Sequence, residues 1–180
     1  MCDHLAHDPI LLNRIVRGFP DGRIFRVVSR SGRLENALAR REREWETHDM
    51  AKWLMKSEPE VYSWDDLVRD GATDWDGVRN NAARLHLRAM QPGDEAFFYH
   101  SGEVRAVVGI MRIAGAGKPD GEDGAWVKVP VEPVRPLNAV TLKDIKAEPS
   151  LAKMELVRQS RLSVSPVREE EWTKILKMAE

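Results

Sequence analysis

From residue 50 onward, apolar and polar positions alternate in short blocks that predict a mixed α+β domain. Lys52-Trp53-Leu54-Met55 reads as a short buried strand, halted by Ser57-Glu58-Pro59. Ser63 starts a helix, with Asp66 at capping-box spacing and Gly71 to close it. A second helix is expected from about Val78 to Met90. Val78, Ala82, Leu85 and Ala89 form its apolar stripe, widened by Ala83, Leu87 and Met90, with Arg84 and Arg88 on the solvent face. Gln91-Pro92-Gly93-Asp94 is a turn, feeding a hairpin of strands Glu95 to His100 and Val104 to Ile113. After a glycine-rich loop comes a strand from Trp126 to Val134, where Pro130 and Pro133 call for an edge position or a bulge. Thr141 caps a short helix through Ile145, and Pro149 starts another. Leu162 to Val164 forms a last strand. Glu169 to Met178 is a closing helix, with Trp172, Ile175, Leu176 and Ala179 facing inward. Strands scattered among short helices predict a small, mostly antiparallel β-barrel with flanking helices, not a doubly wound sheet.

Residues 1–49 have a different character. They hold nine arginines and no lysine, and their short apolar patches never settle into a core periodicity. We expect a weakly ordered extension or a mis-assigned start, with residues 50–180 forming the domain.

The chain's 180 residues suffice for one domain with a real core, and the net charge of -1 excludes a bulk basic protein. Any nucleic-acid contact must come from a local patch. The single cysteine, Cys2, makes no internal disulfide and no thiolate metal cage. With no membrane-length apolar run and no secretory signal, a cytoplasmic protein without membrane, metal or cofactor partners is the expectation.

The catalytic candidates are thin. Ser57, Ser101 and Ser163 lack a Gly-x-Ser-x-Gly elbow. Asp65, Asp66 and Asp76 sit where helix capping accounts for them. The histidines show no ligand-spaced pair from residue 50 onward, and Gly115-Ala116-Gly117-Lys118 runs into Pro119 instead of a helix. No catalytic residue is assigned. Binding of a planar ligand fares better. Trp75-Asp76-Gly77-Val78-Arg79-Asn80 joins a flat aromatic face to an amide that both donates and accepts. Alone, those residues read first as a core tryptophan and a helix cap. Lys56-Ser57-Glu58-Pro59 and Phe97-Phe98-Tyr99-His100-Ser101 add polar groups where other elements end, the usual place for a site.

Taken in order, these stretches resemble the EVE domain family. The likeness runs through Trp53 to Pro59, Tyr62-Ser63, Asp66-Leu67, Trp75 to Asn80, Ala83-Arg84 and Leu87 to Met90. It continues through Gly93-Asp94, Phe97 to Ser101, Val108 to Ile110, Val140 to Leu142, Leu156 to Val164 and Pro166-Val167. It implies a PUA-like fold, related to YTH and ASCH domains, and a non-catalytic reader of DNA or RNA carrying a methylated or hydroxymethylated base. Carried over residue by residue, the base-binding set is Lys56, Ser57, Trp75, Val78, Asn80, Tyr99, His100 and Ser101. Trp75 would stack, Lys56, Ser57 and Asn80 would meet the base edge, and Tyr99, His100 and Ser101 would line the opposite rim. Arg79, Arg84 and Arg158 or Arg161 would serve the phosphates. Two rivals remain: a metal-independent, ASCH-like nuclease using His100, and a nucleoside-sensing small-molecule binder. The chain departs from the family in keeping only Lys118-Pro119-Asp120 of a longer loop, and in placing Arg168 where a threonine often caps the last helix.

Protein expressed from Met50 should keep both its fold and its ligand binding. Loss of cooperative thermal unfolding in that truncation would assign a structural role to the first 49 residues.

Overall fold

The strand Trp53-Leu54-Met55 is apolar at three successive positions because both of its faces are covered. In a computed structural model describing residues 50–122 and 124–180, it is the centre of strand β1, Lys52–Ser57. Trp53 and Met55 enter one hydrophobic cluster with Trp64, Trp75, Phe98 and Leu87, while Leu54 enters a second with Phe97, Tyr99 and Trp172. A strand buried on both sides reads as a continuous apolar run.

The remaining elements are α1 (Trp64–Asp70), β2 (Thr73–Trp75), α2 (Asn81–Ala89), β3 (Glu95–His100), β4 (Ala106–Ile113) and β5 (Lys118–Asp120). Then come β6 (Trp126–Thr141), α3 (Leu142–Ala147), a 3-10 turn (Pro149–Leu151), α4 (Glu155–Arg158), β7 (Val164–Val167) and α5 (Glu169–Met178). The sheet order is β2-β6-β4-β3-β1-β7, with β5 pairing β6. Among the described residues only β1 with β3 is a parallel pair, so the mixed sheet curled into a half-barrel is mostly antiparallel, as expected.

Several boundaries differ from the sequence reading. Helix α2 starts at Asn81, not Val78, because the Asn80 side chain accepts from the Ala82 and Ala83 amides and caps it. That start turns the helix so that Ala83, Leu87 and the capping Met90 are buried, while Leu85 is 60% exposed and Ala82 and Ala89 face solvent. Of the expected apolar positions, Val78, Ala83, Leu87 and Met90 are thus buried and Ala82, Leu85 and Ala89 are not. Strand β4 starts at Ala106, after a turn. Residues 118–120 form a strand where only a loop was expected. Strand β6 runs on to Thr141; its Pro133 sits at a shift of register against β4, which is the bulge alternative. The last strand is Val164–Val167, starting two residues later than the expected Leu162 to Val164.

Three local devices fix the frame. Ser63 and Asp66 form the expected capping box on α1, and Gly71 closes the helix at φ 74°. Gly109 on β4 lets the Trp64 ring lie against the strand: a Cβ there would come within 2.5 Å of the ring carbons. At α5, Arg168 has no acceptor to offer, yet Glu171 accepts from the Arg168 amide at 3.0 Å and from its guanidinium Nε at 3.1 Å. Half of the cap is thereby kept without a threonine.

Asp94 is buried at the foot of the sheet. Its carboxylate accepts from the Ala51 amide at 3.0 Å, the Trp53 indole at 2.9 Å and the Gln91 amide at 3.0 Å. The expectation for residues 1–49 lies outside the described residues.

Asp94→Ala removes the acceptor for three donors at once. It should lower stability by about 3 kcal/mol or more, read as a lower urea midpoint with an unchanged m-value. A midpoint within error of wild type would show that the carboxylate is dispensable.

Candidate functional site

Strand β1 and strand β2 end near one another, and the chain leaving each makes a tight turn. After β1, the Val61 and Tyr62 amides both donate to Glu58 O, at 2.9 and 3.0 Å, and Ser57 Oγ donates to Tyr62 O at 2.7 Å. After β2, Gly77 adopts φ 68°, a left-handed conformation that glycine permits without strain. The Gly77 amide and the Arg79 guanidinium both donate to Asp120 on β5, at 3.2 and 2.6 Å. Arg79 thereby holds the Asp120 carboxyl below the usual carboxylate range. Between the two turns opens a cavity of about 540 Å³, within the range of small-ligand sites. Lys56, Ser57, Glu58, Trp75, Val78 and Arg79 are among its walls.

The floor is apolar and rigid. Trp75 is 7% exposed and packs edge-on against Phe98, with ring centroids 5.4 Å apart. Val78 is buried beside it. The rim is polar. Lys56 Nζ donates to Ser160 O at 3.1 Å and lies 5.9 Å over the Tyr99 ring, and burial pushes its ammonium below the usual lysine range. A planar group with polar edges fits such a wall: apolar contact below, donors and acceptors around it.

The sequence profile of the EVE domain family matches residues 51–178. The chain belongs to the EVE domain family. Mouse thymocyte nuclear protein 1 is 35% identical over 165 residues, spanning 71% of this chain and 73% of that protein. Among solved structures, Rpa0253 from Rhodopseudomonas palustris is 48% identical, with a TM-score of 0.70 over 72% of this chain and 93% of its own. A human THYN1 structure, in complex with 5-methylcytosine containing DNA, is 34% identical, with a TM-score of 0.68 over 72% of this chain and 98% of its own. The PUA-like fold implied by the sequence is the fold of these neighbours.

Within the EVE domain, the expected base-binding residues divide into two groups. Lys56, Ser57, Trp75 and Val78 come together at the cavity. Asn80, Tyr99, His100 and Ser101 do not line it. Asn80 spends its side-chain oxygen on the cap of α2. Tyr99 is 3% exposed in the other hydrophobic cluster, because it follows Phe98 on β3 and so points to the opposite face of the sheet. Ser101 supports the wall from behind, its amide donating to Ser57 O at 2.8 Å. His100 Nε2 accepts from the Trp64 amide at 3.1 Å, satisfying an orphan donor at the start of α1. That nitrogen is thus engaged within the fold.

Of the arginines expected at phosphates, only Arg79 reaches the cavity, and it is paired with Asp120. Arg84 is half-buried: it donates to Ala125 O at 3.0 Å and lies 5.1 Å from the Trp126 ring, which Arg79 approaches at 5.5 Å. Arg158 stands 3.8 Å from Glu155, and Arg161 is exposed beside Ser160, whose carbonyl holds Lys56. The residues missed from sequence are Asp120, which pins the turn after β2, Glu58 on the cavity wall, and Trp126. Asp120 lay in a stretch read as a loop. Lys118, its near neighbour in sequence, gave no sign of a partner at Arg79. Among the described residues no group of three His, Cys, Asp or Glu is placed to hold a metal ion, and no helix is long and apolar enough to cross a membrane.

Burial pushes the His100 imidazole below its ordinary value of 6.5, with Asp65 and Glu60 pulling weakly the other way. A depressed pKa in the folded state means that the unfolded chain takes up more protons below that value. Stability contributed by His100 is therefore complete above pH 6.5 and declines as pH falls through its lowered pKa. His100→Gln, which can accept the same amide without titrating, should flatten part of the decline in melting temperature between pH 7 and 5. His86, also depressed by burial, keeps the remainder. A profile identical to wild type would remove His100 from the linkage.

Proposed function

We propose that this EVE domain is a non-catalytic reader that takes one methylated or hydroxymethylated base of a nucleic acid into the cavity between β1 and β2. The observation that carries this reading is the cavity itself, with an aromatic and aliphatic floor and a rim that includes Lys56 and Ser57. Nucleic acid as the ligand class is supported by the related human THYN1 structure, whose DNA contains 5-methylcytosine. For the same reason DNA ranks ahead of RNA.

Binding would run as follows. The base leaves its stack, at a cost of a few kcal/mol inside a duplex and less in a single strand. Contact with Trp75 and Val78 offsets this, stacking being worth about 1–3 kcal/mol per base. Lys56 supplies donors at the base edge, held in place by its bond to Ser160 O. An added methyl group gains apolar contact with the floor, while a base that leaves a buried polar group unpaired is penalised by about 1–3 kcal/mol. No covalent step is needed.

The deciding measurement is affinity for a panel of DNA and RNA oligonucleotides, each carrying one modified base, with Trp75→Phe and Lys56→Gln alongside wild type. Trp75→Phe keeps an aromatic ring in a buried position where alanine would cost about 3–5 kcal/mol of stability. Wild type should prefer one modified base over its unmodified form by at least about tenfold, which is 1.4 kcal/mol. Both variants should lose most of that preference while remaining folded. Equal affinity for every oligonucleotide, or turnover of any of them, would overturn the reading.

A further inference from the structure

A second cavity, about 420 Å³, lies where the turn between β3 and β4 meets the start of α3. Three cations line it, Arg105, Lys143 and Lys146, against the single carboxylate of Glu103. Asp144, the acidic residue between those lysines, is engaged by Thr141, whose hydroxyl donates to its carboxylate at 2.6 Å.

Arg105 is the unusual member. Its φ is 46°, and among the described residues no other non-glycine residue has a positive φ. A side chain in that region carries backbone strain that glycine would avoid. The conformation is held in place: Arg105 O accepts from the Leu142 amide at 2.7 Å, and Arg105 Nε donates to Gly102 O at 2.9 Å. Its two terminal amino groups have no partner among the described residues, and the residue is exposed. A strained turn thus presents an open, fixed guanidinium face.

The turn that carries Arg105 is tied to the wall of the first cavity. The Ser101 amide, which starts the turn, donates to Ser57 O at 2.8 Å. Tyr99 links the two cationic groups. Lys56 Nζ lies 5.9 Å over its ring. Burial raises the phenol's pKa, and the nearby charge of Arg105 draws it partly back. The turn after β3 is thus hydrogen-bonded to the end of β1, where Lys56 and Ser57 line the first cavity.

We infer that Arg105, with Lys143 and Lys146, forms a phosphate subsite for the nucleic-acid strand whose base occupies the first cavity. This rests on the reading of that cavity as a base pocket. Guanidinium groups suit phosphate because their forked donors match two of its oxygens, and a guanidinium already fixed loses little freedom on binding. The subsite carries no base recognition; it would set strand position and contribute equally for every sequence.

Arg105→Gly separates binding from folding, since it removes the charge and relieves the strain together. Its melting temperature should equal or exceed wild type. Affinity for the preferred modified oligonucleotide should fall about threefold to tenfold at low salt. The slope of log K against log salt should shrink by about 0.9, the signature of one lost phosphate contact on duplex DNA. Affinity for the free modified nucleoside should not move. Lys143→Gln with Lys146→Gln should reduce the slope independently. Unchanged affinity and slope in both variants, with wild type binding normally, overturns the subsite alone. A matching loss for the free nucleoside would show that Arg105 acts through the base pocket and also overturns it. Saturation by micromolar inorganic phosphate would mark a free-anion site instead. If wild type binds neither oligonucleotide nor nucleoside, the base-pocket reading fails and the subsite falls with it.

Discussion

Asp94 joins the approach to β1, the end of α2 and the start of β3 through one carboxylate. From that anchor the two strands run in parallel register, Lys52 opposite Glu95 through to Ser57 opposite His100. Their far ends consequently emerge level. A parallel pair cannot be closed by a hairpin; it needs a crossover. Here the crossover carries α1, β2 and α2, and it supplies nearly all of the cavity, from Glu58 to Arg79. Lys56, Ser57 and Ser163 complete the lining from β1 and the approach to β7. The cavity is the space that a parallel connection leaves when it passes over the end of its own strands.

Charge is handled locally. With a net charge of -1, no field from the whole molecule gathers a polyanion. Cations at the cavity are instead placed singly and held. Lys56 is fixed by a carbonyl, and Arg79 by Asp120, which also takes the Gly77 amide. The exposure of the Arg79 side chain keeps the energy of its ion pair modest. Its structural effect is larger: the pair ties the turn after β2 to strand β5. The short strand Lys118-Pro119-Asp120 keeps that tie.

Much of the frame was legible in the sequence because its signals are local. Strand Glu95–His100, the capping box of Ser63 with Asp66, and the closing helix Glu169–Met178 rest on spacing within a few residues. Trp75 was legible in both of its roles, core anchor and cavity wall, since a buried ring at the end of a strand can serve both. Asn80 was legible locally as a helix cap, and the cap is where its side chain goes; only the family resemblance had drawn it to the ligand. The other failures share a cause. Tyr99 and His100 neighbour the cavity in sequence, but strand alternation and the Trp64 amide direct them elsewhere. Arg84 looked solvated because its partner, Ala125 O, lies across the fold. Pairings between distant segments decide such cases, and one sequence does not display them.

Strand β1 is among the first elements of the domain, yet its two neighbours, β3 and β7, come later, and β7 is the last strand of the chain. During synthesis, the edge running from Lys52 to Met55 stays open until Val164–Val167 has left the ribosome. An apolar strand with unpaired amides and carbonyls is a template for pairing with the wrong chain. The nascent domain therefore carries an open apolar edge until its last strand is made. A chain that ended before Val164 would keep that edge unpaired.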